Sequence, residues 1–308
     1  MRKTYFFLVI FSTIWQAAWA QSPNDALMMP KHQLCILGQY THSSWEEYWE
    51  GANKRSNSNL GTVTNNNVLL MGNYGITDNL NVLLGLPYVW TGSDSYLEGQ
   101  HGIQDLMLFV KYQVLDKEAL SGRFKVQATG GLSSPVTKYV PDFQPFSIGL
   151  QSKSASLRAI LNYTANFGFY VTAQGGHTWR SNSDIDADAY QFENKLYYGT
   201  TVPVANMVDF SGRLGFIRTR FQAEVWTEYA TGLSGDDIRY NSAPYPTNKM
   251  QWTAAGVFAK YYVTPKLGLS ASYSQVLSGR NVGQATTISG GVNYFFSVSK
   301  KSPDEAPK

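Results

Sequence analysis

LNVLLGLPYVW (Leu80 to Trp90) and IQDLMLFVKYQV (Ile103 to Val114) flank a polar loop, and each keeps one apolar face along its whole length. In the first, Leu80, Val82, Leu84, Leu86, Tyr88 and Trp90 share a face. In the second, Leu106, Leu108, Val110, Tyr112 and Val114 do, opposed by Asp105, Lys111 and Gln113. A period of two belongs to strands, whose successive side chains point to opposite sides of a sheet. Aromatic residues at the segment ends point to a membrane-spanning barrel strand rather than a sandwich strand.

The rest of the chain repeats the rule. Phe124, Val126, Ala128 and Leu132 oppose Lys125, Gln127, Thr129 and Ser133; Leu157, Ala159, Leu161 and Tyr163 oppose Ser156, Arg158 and Asn162; Phe221, Ala223, Val225 and Tyr229 oppose Gln222, Glu224 and Glu228. Mid-strand charges fall almost wholly on one face. An Arg or Lys facing lipid at mid-depth costs about 2–4 kcal/mol, so the charged face is the interior of a closed barrel. A soluble sandwich also alternates, but it places its charges on the outer faces and must blunt its edge strands.

The first 20 residues have the three parts of a secretory signal: Arg2 and Lys3, an apolar run from Tyr5 to Trp15, and Ala18-Trp19-Ala20 as the cleavage site. The apolar run is too short for a spanning helix, and no later stretch is long enough for one. The domain reading is therefore a signal peptide at 1–20, a periplasmic N-terminal segment at 21–33, an outer-membrane barrel at 34–298 and a disordered polar tail at 299–308. Cys35, the single cysteine, can form no intramolecular disulfide and reads as a small buried strand residue. The formal net charge of +3 shrinks once Arg2 and Lys3 are removed, and no basic patch for nucleic acid is visible.

Connections alternate between short turns, such as Gly75 to Asn79 and Val263 to Lys266, and long polar loops: Gly51 to Thr62, Thr91 to Gly102, Pro135 to Ser147, Ser181 to Asn206 and Gly232 to Thr247. Short periplasmic turns and longer extracellular loops are the asymmetry of outer-membrane barrels. The count is about 12 strands, an even number that returns both ends to the periplasm. Ala189 to Val204 is the ambiguous stretch. It is assigned to the fourth outer loop, as a hairpin above the membrane or folded into the pore; read as two spanning strands it would raise the total to about 14, also allowed.

The interior charges, Asp105, Lys111, Lys125, Arg158, Arg180, Asp209, Arg213, Arg220, Glu224, Glu228 and Lys260, are the candidate pore-lining residues. They can line a watery passage and bias it by charge, or neutralise one another and hold the barrel's shape. At about 12 strands the lumen lies between a filled small barrel and an open porin, so the two roles are compatible. An enzymatic alternative rests on His42 and Ser44, two apart and on one lipid-facing side, with Asn66 beside them on the next strand: a base, a nucleophile and an orienting amide, as in outer-membrane phospholipases. That is three common residue types without a wider motif. His32, His101 and His177 show no metal-ligand spacing, and no nucleotide fingerprint is present, so no cofactor or metal is expected. Asn162-Tyr163-Thr164 matches a glycosylation pattern that is frequent by chance.

YGITDNLNVLLGLPYVW (Tyr74 to Trp90) followed by GIQDLMLFVKYQV (Gly102 to Val114) resembles the meta-pathway phenol degradation family of transporter-like outer-membrane β-barrel proteins. The resemblance implies a barrel and the passage of aromatic or other small hydrophobic compounds, and carries no catalytic residues. The expected partners are outer-membrane lipid and a small-molecule solute. A passive channel or uptake pore is the leading expectation, with a closed structural or surface-binding barrel as its alternative.

Overall fold

The computed structural model describes residues 22–239 and 244–298. The signal peptide and the polar tail read from the sequence lie outside the described residues. Twelve long strands form the wall: β1 (Gln33–Trp45), β2 (Val63–Thr77), β3 (Leu80–Ser93), β4 (Asp105–Ala119), β5 (Gly122–Pro135), β6 (Ser154–Ala165), β7 (Phe169–Arg180), β8 (Met207–Arg218), β9 (Phe221–Gly232), β10 (Gln251–Thr264), β11 (Leu267–Arg280) and β12 (Thr286–Ser297). Each pairs antiparallel with the next, and β1 pairs with both β2 and β12, so the sheet closes on itself. Closure leaves no edge whose backbone groups would face lipid unpaired.

The count is 12, not 14. Residues of the ambiguous stretch form a hairpin, Ala189–Phe192 against Lys195–Tyr198, outside the barrel sheet, braced by Ser183–Asp184 against Thr201–Val202. Four-residue strands cannot cross a bilayer that takes about 9–11 tilted residues. All short turns lie at the end of the barrel where β1 begins and β12 ends. The β4–β5 turn shows why such turns can be tight: Leu120 and Ser121 both have positive φ, 47° and 57°, the geometry whose twist matches the flanking strands.

The outer surface is apolar. On β4, Leu106, Leu108, Val110, Tyr112 and Val114 are exposed, while Lys111 between them is 0 % exposed. Exposed Val, Leu, Phe and Tyr continue this belt on the other strands, through Val171, Leu214, Val257 and Val292 among others. With closure, that belt places the protein in the outer membrane.

The interior holds more than the polar residues read from the sequence. Leu83 and Val89 on β3 and Met71 on β2 are buried inward. Gly85 lies beneath Met71, Met107 and Leu69, and the ring of Phe109 lies over Gly131. The lumen is thus apolar over one stretch of β2–β4, between Asn81 and Lys111 on one side and the outer mouth on the other, and mainly polar along β6–β12, where Ile160, Trp226 and Phe258 also face inward.

The N-terminal segment departs from expectation. Rather than lying in the periplasm, Ser22 to Leu27 run inside the barrel, where their carbonyls meet Lys111, Gln127 and Thr129. The physical reason is that a fully buried ammonium needs oxygen partners, and this stretch supplies them. Met29 is 0 % exposed and packs with Cys35, Tyr262 and Phe295 at the turn end of the wall. Gly75 makes the passage possible, since a Cβ there would stand 2.1 Å from the Pro30 carbonyl oxygen. His32 donates its backbone N–H to Gly75, which fixes the point where the segment joins β1.

Candidate functional site

Strand parity brings ten of the eleven sequence-derived candidates to the lumen side. The exception is Arg220, which sits exposed in the two-residue turn between β8 and β9, where the chain reverses and strand parity no longer applies. Asp105, Arg180, Asp209 and Glu228 lie towards the outer mouth. The rest cluster near the middle.

Three ion pairs organise that cluster. Arg158 on β6 reaches across β7 to Asp209 on β8, with contacts of 2.7 and 2.9 Å. It can do so because Gly176 lies between them: a Cβ there would stand 2.9 Å from Asp209 Oδ1 and 3.0 Å from Arg158 Nη2. Arg213 on β8 donates to Glu224 Oε1 on β9 at 2.6 Å, while Tyr170 on β7 donates to Glu224 Oε2 at 2.6 Å and accepts from Gln222 at 3.0 Å. These contacts brace neighbouring strands, so much of the interior charge holds the wall in shape. Buried charges need such partners.

The third pair holds the N-terminal segment. Lys111 Nζ lies 2.9 Å from Asp25 Oδ1, 3.0 Å from the Leu27 carbonyl and 3.2 Å from the Ser22 carbonyl, and it also contacts the Asp25 carbonyl. Gln127 donates to the Ala26 carbonyl at 3.1 Å, and Thr129 to that of Pro23 at 3.3 Å. The segment therefore leans on β4 and β5. Beside it, apart from a void of about 30 Å³ at Asp25, Ala26 and Leu27, lie two cavities, of about 240 Å³ and 290 Å³. The smaller is bounded by Pro23 and Asn24, by Met107 and Phe109, and by Ser133, Ser156 and Arg158. The larger faces β1 and β8–β12.

The outer mouth is narrowed by two loops. Residues 181–206 fold over it, with Val202 and Val204 buried and Arg180 donating to the Ala205 carbonyl at 3.3 Å. The loop 136–153, missed as a restriction, also turns inward: Phe146 and Ile148 are buried, and Thr91 donates to the Phe146 carbonyl at 2.6 Å. Tyr139 in that loop donates to Asp105 at 2.9 Å and accepts from the Gln151 N–H at 2.9 Å. Burial and the neighbouring Asp105 carboxylate push its hydroxyl pKa up, so it stays a donor. Asn281 ties three outer loops together. Its oxygen accepts from the Gly51 and Ile238 N–H groups at 2.9 and 3.0 Å, and its nitrogen donates to the Lys249 carbonyl at 2.7 Å.

On the lipid side, His42 and Asn66 face each other in register, with His42 Nδ1 2.8 Å from Asn66 Oδ1; Tyr40 donates to the same oxygen at 2.9 Å. Among the described residues Ser44 makes no hydrogen bond to His42, so the nucleophile–base contact of a hydrolase is not formed. Nor does any group of three or more His, Cys, Asp or Glu among the described residues come together as a metal site.

Comparison with known proteins agrees with the fold. The COG4313 outer membrane channel from Pseudomonas putida F1 superposes with a TM-score of 0.71 at 19% identity, over 90% of this chain and 100% of that one. A NanC porin structure gives 0.48 at 12% identity over 85% and 98%, and the translocator domain of the autotransporter NalP from Neisseria meningitidis 0.43 at 12% over 85% and 88%. No curated protein matches the chain. Residues 51–297 match the family described as "Putative MetA-pathway of phenol degradation", and with most of the barrel inside that match the chain belongs to this family.

Proposed function

We propose that the barrel is a passive channel for small solutes with an apolar or aromatic part, kept narrow by its own N-terminal segment. The carrying observation is the two-sided lumen. Leu69, Met71, Leu83, Met107 and Phe109 give one wall an apolar lining, while Arg158, Gln174, Ser211, Arg213 and Glu224 give the other a hydrated one. A solute with one apolar and one polar side can keep both satisfied along such a route, as ligand pockets do with apolar walls and a few placed polar groups. The pore-lining role then belongs to Lys111, Lys125, Arg158, Arg213, Glu224 and Lys260 deeper in the barrel, and to Asp105, Arg180, Asp209 and Glu228 towards the mouth. Liposome swelling and planar-bilayer recordings on the folded protein test the proposal. Ion current together with faster entry of small aromatic solutes than of sugars of equal size is the expected result. No current and no solute flux from a heat-modifiable, folded barrel would overturn it.

A further inference from the structure

Polar and aromatic side chains of four strands form one row at the outer rim of the lipid-facing wall. His42 on β1, Asn66 on β2 and Trp90 on β3 are in register, and Trp90 pairs on its other side with His101 of the short strand His101–Ile103. We infer that this row is a binding site for the sugar headgroup of an outer-leaflet glycolipid of the lipid A type. The inference rests on the outer-membrane location and is independent of conduction.

Position supplies the class of ligand. Below the row the outward side chains are apolar and exposed: Ile36 on β1, Val68 and Leu70 on β2, Leu84 on β3. Above it stand Ser44, Thr64 and Gly92, and then the strands end. The row therefore lies where the hydrocarbon belt gives way to headgroups, the depth at which amphipathic aromatic rings collect. An ordinary girdle residue is held there only by its amphipathic character, whereas these side chains are fixed to one another. Asn66 Oδ1 accepts from Tyr40 at 2.9 Å and lies 2.8 Å from His42 Nδ1, while the Tyr88 hydroxyl lies 3.1 Å from His101 Nδ1. Tyr40 stacks with Trp90, their ring centroids 6.0 Å apart, and Tyr88 lies 6.1 Å from Trp90. Each imidazole thus commits Nδ1 within the platform and keeps Nε2 open: His101 is exposed, and among the described residues His42 Nε2 is neither enclosed nor hydrogen-bonded. The two histidines are three strand spacings apart, about 14 Å, a span that suits a disaccharide.

Charge selects the sugar over its phosphates. The only cations in the two loops above, Lys54 and Arg55, are paired with Glu47 and Glu50. At the strand ends Thr62 joins two carboxylates instead, donating its hydroxyl to Glu46 at 3.0 Å and its N–H to Asp94 at 2.9 Å. Imidazoles and carboxylates exchange hydrogen bonds with sugar hydroxyl and amide groups, aromatic rings offer apolar faces, and the belt beneath receives the acyl chains. Native mass spectrometry of the folded full chain in detergent, titrated with purified lipid A, tests the site. One lipid A should bind saturably, its dephosphorylated form at least as tightly, and phosphatidylglycerol without saturation. His42→Phe and, independently, Trp90→Leu should each weaken lipid A about tenfold, the loss of one good contact, with heat-modifiable migration confirming a folded barrel and conductance unchanged. Leu108→Ala, on the belt away from the row, should bind as the unaltered chain does. Saturable binding of phosphatidylglycerol, loss of lipid A binding on dephosphorylation, or full binding by both folded variants would overturn the assignment.

Discussion

Replacing Lys111 by Met removes the ammonium that holds the N-terminal segment and keeps most of the side-chain volume. Nζ is fully buried and has four oxygens of Ser22, Asp25 and Leu27 around it. Breaking a buried ion pair from one side costs about 3–5 kcal/mol, because the remaining charge is left uncompensated. Here Asp25 can escape that cost by leaving the lumen, so the energy appears as release of the segment. At 1.4 kcal/mol per decade, a loss of about 3 kcal/mol raises the detached population roughly a hundredfold. What remains are the Gln127 and Thr129 bonds, at about 1 kcal/mol each, and the buried Met29 side chain at about 1.5–3 kcal/mol. Met29 should therefore stay docked while Ser22 to Leu27 come free. Single-channel recording should show higher or more frequent conductance, and protease should reach the segment. The double variant Lys111→Met with Asp25→Leu, which replaces the pair by apolar groups, should close again. Wild-type conductance and protection in the single variant, or a double variant as open as the single one, would refute the reasoning.

Gly75→Ala should displace the segment without touching its polar anchors, since the new Cβ would stand 2.1 Å from the Pro30 carbonyl oxygen; unchanged protection of residues 22–30 would contradict this. Leu108→Arg, on the lipid face, should cost about 2–4 kcal/mol of barrel stability at mid-depth, read as a lower urea midpoint in folding titrations, whereas Ser270→Arg, facing the lumen, should instead change ion selectivity. At the outer loops, burial works to raise the Asp237 pKa, but the bonds from Arg280 and Asn281 outweigh it and hold the carboxyl below its ordinary value. A depressed acid contributes stability that is present above its unfolded pKa, near 3.9, and lost as pH falls through the folded value. Proteolysis of the outer loops should accordingly stay slow from neutral pH down to about pH 4 and rise below it; a profile identical in Asp237→Asn would remove this pair from the explanation. Lipid hydrolysis, if any is measured, should be the same in Ser44→Ala as in the unaltered chain, because Ser44 does not meet His42.

Much of the wall was legible because lipid enforces one rule everywhere. Leu84, Val110, Leu157 and Val225 face outward on four different strands, and the alternation that marks them needs no long-range information. Loop asymmetry set the hairpin Ala189–Tyr198 aside, although its pattern alone could not separate a short hairpin from a spanning one. Arg220 went wrong for a related reason: parity counting was carried back one residue before the start of β9, into a turn. The inner face obeys no comparable rule. Asn81, Leu83, Gly85, Pro87 and Val89 all point inward on β3, and nothing in that run says what they meet.

The N-terminal segment was illegible for a deeper reason, because its position is set by a residue far along the chain. Ser22 to Pro30 carries no periodicity, and its polar backbone could be satisfied by water as well as by Lys111. The signal lay in Lys111 itself. A lysine at mid-strand on an inward face, flanked by Phe109 and Gln113, must find oxygen acceptors in a lumen too narrow to hydrate it freely. The neighbouring strands supply Asn81, Thr129 and Gln127 but no nearby acid: Asp116, on the same strand as Lys111, is engaged by Arg123, and Glu224 by Arg213 and Tyr170. The carboxylate that completes the site therefore comes from outside the wall, through Asp25. An inward lysine without an acid on its adjoining strands is thus a readable demand for an oxygen-rich segment brought in from outside the wall.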